Sequence, residues 1–412
     1  MAVENLKVKY NIRVLTSSGK KYLSRELISS GIKKGNIEKT IQSFDYFTIK
    51  LEGLPSSDCL ILKYKMLEVD GTLFFSDSIL DKGVLASDVI LSGSKKQLEL
   101  LKDNLKNENN NLSELGKEII QVTEHYSRNS FNIDYSGGSL KITNRPLIMG
   151  VINITPDSFF DGGDFYSTEH AIEHGIKLVE AGADILDVGG ESTRPGAEEV
   201  SVTEELNRVI PVIGPLTEKS TVPISIDTYK AEVALEAIAA GAKIVNDVTG
   251  LYGHRAMAEV VAEKNVPVIL MHMKGTPKNM QAAPKYKNLI SEIMARIRQS
   301  IELAKSCGIN FEKTIIDPGI GFGKTLEHNL EIIDRLNELK SIGRPILIGT
   351  SRKSFIGKIL DQPPKERLLG TAASVAAAVL KGANILRVHD VAEIKDVLSI
   401  ISCIMSGEKT EI

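Results

Sequence analysis

The chain has 412 residues, 42% of them hydrophobic, with 50 basic and 53 acidic side chains and a net charge of −3. This is enough apolar material for a large core and excludes a disordered chain, while the balanced charge gives no field to hold a nucleic-acid backbone or an anionic membrane. Cys59, Cys307 and Cys403 stand far apart with no CxxC spacing, so neither a disulfide framework nor a zinc site is indicated.

The first residues, MAVENLKVKYNIRV, lack a charged start followed by a long apolar run, and no stretch approaches the ~18 apolar residues of a membrane span. A cytoplasmic protein without membrane or nucleic-acid partners is expected. Residues 1–143 read as a smaller α/β domain whose role the sequence does not state. Its candidate strands are residues 7–15, 46–51 and 88–91, and its candidate helices residues 57–67, 95–106 and 112–125. Leu98, Leu101 and Leu105 recur at helical spacing and predict a core stripe. Residues 136–146, SGGSLKITNRP, supply the turn residues and proline expected of a linker, which puts the domain boundary near Asn144 and the second domain at 144–412.

From Leu147 onward the alternation is regular. Eight short apolar runs, LIMGVIN, ILDVGG, PISIDT, KIVNDVT, PVILMHM, TIIDPG, PILIGTS and ILRVHD, are separated by helical patterns at residues 168–181, 203–216, 230–240, 286–307, 326–339 and 364–381. Strands alternating with helices imply parallel pairing with right-handed crossovers. Eight such units match the (β/α)8 TIM barrel of about 250 residues, whereas an open doubly wound sheet lacks its signature, since no GxGxxG follows the first strand.

In such a barrel the chemistry sits at the C-terminal ends of the strands. The tips here read Asn153, Gly190 with Glu191, Asp227, Asn246 with Asp247, His272, Asp317, Ser351 with Arg352 and Lys353, and Arg387 with His389. Asp227, Asn246 and Asp317 can exchange hydrogen bonds with a flat heterocycle rich in amino and amide groups, a pterin or guanine better than a sugar. Arg387 and His389, with the backbone amides after Ser351, make an anion site for a phosphate or diphosphate. Asn153 with Asp157 and Asp161 offers oxygen ligands for magnesium, although Asp before Gly is equally a turn signal. GIGFGKT, residues 319–325, is not a phosphate loop, because Pro318 stands where GxxxxGKT needs glycine. His272 has no second close histidine and reads as a core or supporting residue, and His170 and His174 as a helix face.

The strings MGVINITPDSFFDGG, GADILDVGGESTRPGA, SIDT, NDVTG, MHMKGTP, DPGIGFGK, GTSRKSFIG and RVHD together resemble the dihydropteroate synthase family over about residues 145–405. The resemblance implies a (β/α)8 barrel that condenses 7,8-dihydropterin-6-ylmethyl diphosphate with para-aminobenzoate, releasing pyrophosphate. LKYKMLEVDG and DVILSGSKKQLELLKDNL look like the extra N-terminal domain of some archaeal and bacterial members. Carried over by position, the resemblance implies that Asp227, Asn246, Asp317 and Lys353 bind the pterin, with Met271 beneath the ring and Arg387 stacked on it. Asn153, Arg387 and His389 would hold the diphosphate, with magnesium at Asn153 and Asp157 or Asp161. Thr193, Arg194, Pro195, Phe322, Lys353 and Ser354 would form the para-aminobenzoate pocket, and a homodimer is implied by analogy. Independently of the family, Phe322 and Pro195 suit an aromatic ring, and Ser354 at a helix N-terminus suits a carboxylate. The rival readings are a pterin-dependent methyltransferase and a non-catalytic pterin-binding protein.

Overall fold

The structure is a computed structural model that describes residues 20–42, 44–80, 84–143, 145–154, 168–192, 197–276, 280 and 283–407. The strand expected at residues 7–15 lies outside the described residues, as do Asn144, Asp157, Asp161, Thr193, Arg194 and Pro195. Two compact units divide between Thr123 and Glu124, earlier in the chain than the expected boundary near Asn144.

The first unit runs α1 (Lys20–Ser29), α2 (Lys34–Gln42), β1 (Tyr46–Pro55), α3 (Ser56–Glu68), β2 (Thr72–Phe75), β3 (Ala86–Ser94), α4 (Lys95–Leu105) and the start of α5 (Asn110–Ser127). The strands form an antiparallel sheet in the order β1-β3-β2. One sheet face is apolar by strict alternation, with Val89 and Leu91 buried on β3 and Leu73 on β2. The predicted stripe Leu98, Leu101 and Leu105 on α4 closes the same core, all three fully buried. Helix α4 can start directly after β3 because Ser94 and Gln97 form a capping box. The sequence does not predict α1, α2 or β2, which are short and weakly patterned.

The second unit begins with a correction. Most of the expected linker, residues 136–142, is the turn and second strand of a hairpin, β4 (Phe131–Tyr135) and β5 (Gly138–Ile142), turning at Ser136 and at Gly137, whose φ is +96°. Phe131, Ile133, Leu140 and Ile142 are buried while Asn132 and Lys141 face out, a period of two that the turn residues and proline obscured. The apolar face packs on Leu147, Ile185, Ile244, Ile315 and Ile385, near the starts of the barrel strands, and so stoppers the barrel floor.

The barrel strands are β6 (Leu147–Asn153), β7 (Ile185–Gly189), β8 (Ile224–Asp227), β9 (Ile244–Asp247), β10 (Val268–Met271), β11 (Thr314–Asp317), β12 (Leu347–Ile348) and β13 (Ile385–Val388). They pair in parallel in the order β11-β10-β9-β8-β7-β6-β13-β12, and a bridge between Ile316 and Ile346 joins the two ends. The (β/α)8 TIM barrel read from the sequence is therefore the fold. Its helices are α6 (Thr168–Glu180), α7 (Val202–Lys219), α8 (Ala231–Ala239), α9 (Met257–Lys264), α10 (Leu289–Ser306), α11 (Leu326–Asp334), α12 (Ser354–Leu360), α13 (Leu368–Leu380) and α14 (Val391–Ser406). The sequence leaves α9 and α14 unassigned and gives of α12 only its start at Ser354. Among the described residues no helix is long and apolar enough to cross a membrane.

Candidate active site

The two-residue period of a strand turns the tip side chains inward. Ile244, Ile269, Ile315 and Ile385 belong to the cluster that fills the floor, and two residues further along each strand stand Asn246, Met271, Asp317 and Arg387. A pocket opens above them. It is lined by the predicted residues Asp227, Asn246, Met271, Asp317, Phe322, Lys353 and Arg387, joined by Val248, Ile320 and Gly349. Four charged tips expected to share one cavity, Asp227, Asp317, Lys353 and Arg387, thus do share it. Asn153, His389 and Ser354 are not among the lining residues.

Arg387 is held between two carboxylates. Its Nε donates to Asp187 Oδ2 at 2.6 Å and its Nη2 to Asp227 Oδ2 at 2.6 Å. Asp187 Oδ2 also accepts from Asn246 Nδ2 at 3.1 Å. Asp187 is fully buried in the middle of β7, and its Oδ1 has no partner among the described residues. The sequence reading attends to strand tips and passes over Asp187; the available signal was a carboxylate inside the apolar run ILDVGG. Burial pushes the Asp227 carboxyl up to about 7 against the pull of Arg387, and the nearby Asp187 charge adds to the rise. Burial also works against the charge on Arg387, but Asp187 and Asp227 more than offset it, so the guanidinium stays charged. Asp317 is raised by burial too, opposed by the Gly319 N–H, which donates to its Oδ1 at 2.6 Å, and by Lys353.

One wall is the loop after β11. Gly319 and Gly323 adopt φ of +71° and +67°, and a Cβ at either would collide with main chain, the His272 carbonyl for Gly319 and the Lys274 carbonyl for Gly323. Lys324, fully enclosed here, donates to His272 Nδ1 at 3.0 Å, to the Phe322 carbonyl at 3.0 Å and to the His272 carbonyl at 3.3 Å. Burial pushes Lys324 down to about 7 and His272 down to about 2, so His272 is neutral and accepts at Nδ1. His272 is accordingly a supporting residue. Lys324, which the sequence offers only as part of a failed phosphate-loop match, ties that loop to the end of β10. Lys353 Nζ lies 4.4 Å from the centroid of the Phe322 ring.

The end at which the sequence reading expects an anion lies after β12 and β13. Ser351 Oγ accepts from the His389 N–H at 3.3 Å and lies 3.0 Å from His389 Nδ1. Burial, with Arg387 and Arg352 nearby, pushes His389 down to about 3. The neutral ring accepts the Ser351 proton at Nδ1, which leaves the proton on Nε2 as a donor. His389 therefore offers a hydrogen bond rather than a charge. Arg352, with φ +56°, is fixed by an ion pair with Asp390 and by its N–H bond to Thr371 Oγ1 at 3.0 Å, which aims the next residue, Lys353, at the pocket. Ser354 is the exposed first residue of α12. Asn153 ends β6, half-buried and in register with Gly189. Its carboxamide oxygen suits a hard cation that takes oxygen donors and few of them from protein.

A family model described as "Pterin binding enzyme" matches residues 149–389. The dihydropteroate synthase of Synechocystis is 50% identical over 248 residues, covering 60% of this chain and 86% of that protein. The dihydropteroate synthase of Escherichia coli is 46% identical over 275 residues, covering 67% of this chain and 97% of that protein. Among solved structures, dihydropteroate synthase from Xanthomonas albilineans with 4-aminobenzoic acid is 43% identical with a TM-score of 0.64, covering 67% of this chain and 99% of that one. The same enzyme in complex with 7,8-dihydropteroate matches with 40% identity and a TM-score of 0.61, again over 67% and 99% of the two chains.

Proposed function

The chain belongs to the dihydropteroate synthase family, and from that premise we infer how its residues divide the reaction among themselves. It is a transferase that condenses 7,8-dihydropterin-6-ylmethyl diphosphate with para-aminobenzoate to give 7,8-dihydropteroate and pyrophosphate in folate biosynthesis. The assignment of roles rests on one observation above all, the convergence of Asp227, Asn246, Asp317, Lys353 and Arg387 from five places in the chain on a single pocket.

In this reading Asp227, Asn246 and Asp317 take the amino and amide edge of the pterin, Lys353 bonds its ring, Met271 lies beneath it and Arg387 stacks on it. Asn153, Arg387 and His389 hold the diphosphate. The bond between the methylene carbon and the diphosphate oxygen breaks, and its electron pair leaves with pyrophosphate. The Arg387 charge and the Nε2–H of neutral His389 meet the negative charge that grows there. The electron-rich pterin carries the resulting methylene cation, facing ionised Asp227. The arylamine lone pair then forms the carbon–nitrogen bond, and its proton passes to water, so no strong base is required. Phe322, Lys353 and Ser354 serve the para-aminobenzoate side together with Thr193, Arg194 and Pro195. Magnesium, held by Asn153 with Asp157 or Asp161, would supply further positive charge to the departing diphosphate.

The test is calorimetric titration of pterin diphosphate into Asp227→Asn and Asp317→Asn, alongside pyrophosphate release with a panel of arylamines. Each variant is expected to lose about tenfold or more in pterin affinity; wild-type affinity in both would overturn the assignment. We also propose a homodimer, supported by the exposed apolar side chains Leu369, Leu380, Ile400 and Ile404 on α13 and α14. An unchanged mass by light scattering for the variant Leu380→Glu with Ile404→Glu would refute that interface. The cytoplasm is the proposed compartment, in keeping with three free thiols.

A further inference from the structure

Lys230 precedes α8, three residues beyond the tip of β8, and only 4% of it is exposed. Its Nζ reaches three acceptors, Glu191 Oε2 at 2.5 Å, the Val200 carbonyl at 2.5 Å and Glu205 Oε2 at 2.6 Å. An ammonium has three protons, and this one spends all of them inside the protein. Glu205, fully buried in the first turn of α7, alone would neutralise the charge. The other two acceptors come from elsewhere: Glu191 just after β7 and Val200 just before α7, the two ends of the second loop at the barrel mouth. Arg208 of α7 adds a bond to the Gly190 carbonyl at 2.7 Å, on the same root.

A buried lysine that served packing alone would need one carboxylate. Here a second carboxylate and a main-chain carbonyl are drawn in from opposite ends of one loop, so a single charge sets the distance between those ends. We propose that Lys230 is a positioning residue for para-aminobenzoate: by gripping Glu191 and Val200 against Glu205 it fixes the span from which the second loop is hung. This rests on the reading that Thr193, Arg194 and Pro195 of that loop serve the arylamine side. Lys230 touches no substrate, and its effect is carried through the loop.

The role predicts a defect on one substrate only. Glu191→Ala frees one end of the loop and leaves the Lys230–Glu205 pair intact, so the fold is retained. Lys230→Met combined with Glu205→Gln removes the grip without leaving the fully buried Glu205 charge unpaired. Both are expected to raise KM for para-aminobenzoate about tenfold or more, with the Kd for pterin diphosphate by calorimetry within about twofold of wild type. Glu191→Gln, which keeps an acceptor oxygen, should recover most of that loss. Arg194→Ala, run in parallel, separates two ways of being wrong. If Arg194→Ala raises KM for para-aminobenzoate and neither grip variant does, the role of Lys230 is overturned and the loop reading stands. If Arg194→Ala has no effect, the loop reading itself falls and takes the proposal with it. Equal losses toward both substrates in the two grip variants would make Lys230 merely structural and overturn it as well.

Discussion

Replacing Arg387 by alanine tests the electrostatics of the pocket most directly, because the guanidinium holds two carboxylates on its Nε and Nη2. Removing a group that meets charge in the transition state typically costs about 10² to 10³ in kcat, or ~2.7–4 kcal/mol. The variant also leaves Asp187, fully buried, beside Asp227 with no cation between them. Breaking such a buried pair costs about 3–5 kcal/mol unless one partner takes up a proton. The proton goes to Asp227, already pushed up to about 7, because Arg387 is the main influence pulling it down. The sign follows. In the proposed role Asp227 must be ionised to accept from the pterin amine and ring N–H, so binding is expected to be lost as pH falls through its pKa, and without Arg387 that loss begins at a higher pH. Arg387→Lys keeps the charge but not the two-pronged geometry, and should restore the position of the acid limb more fully than the rate. Pyrophosphate release followed from about pH 6 to about pH 9 reads both quantities. Turnover within about threefold of wild type, or an acid limb that stays in place, would refute the role given to Arg387.

Asp187→Asn has the opposite pH signature: the Asp187 charge helps to raise Asp227, so pterin binding by calorimetry should persist to lower pH than in wild type. The same variant is expected to lower stability by about 1–3 kcal/mol through the weakened bond to Arg387, read by urea unfolding. Gly319→Ala sets a methyl group against the His272 carbonyl at a left-handed φ and should cost more than about 1 kcal/mol in stability while weakening pterin binding. Ile133→Ala in the floor hairpin should cost about 2–5 kcal/mol in urea with KM for both substrates unchanged, whereas a loss under about 0.5 kcal/mol would mean the hairpin bears no core load.

The barrel was legible because one unit is written eight times, and each apolar run ends in a polar residue where a strand meets solvent. The same regularity exposes Asp227, Asn246, Asp317, Lys353 and Arg387, since a charge after four apolar residues needs a partner. What stayed hidden had partners remote in sequence. Asp187 is separated from both Asn246 and Arg387, and only the closed ring brings them together. Lys230 gathers acceptors from two elements, and its own surroundings, TYKAE, look like an ordinary helix start. The hairpin at residues 131–142 was misread because turn and proline signals outweighed two short alternations, whose apolar face has meaning only against a barrel floor. His389 was singled out as a polar strand tip, but its neutrality follows from burial next to Arg387, which no local pattern announces.

Two of the three glycines of the loop after β11 leave that wall little room to vary. Positions 319 and 323 admit no side chain because main chain already occupies the space. With Gly321 between them held at a left-handed φ of +85°, a change of ligand preference on this side comes most readily through Ile320 or Phe322, both of which face the pocket. Drift or selection acting on the loop has, in effect, two dials: one sets the girth of the slot and the other its aromatic flank, on a frame that stays unaltered as they turn.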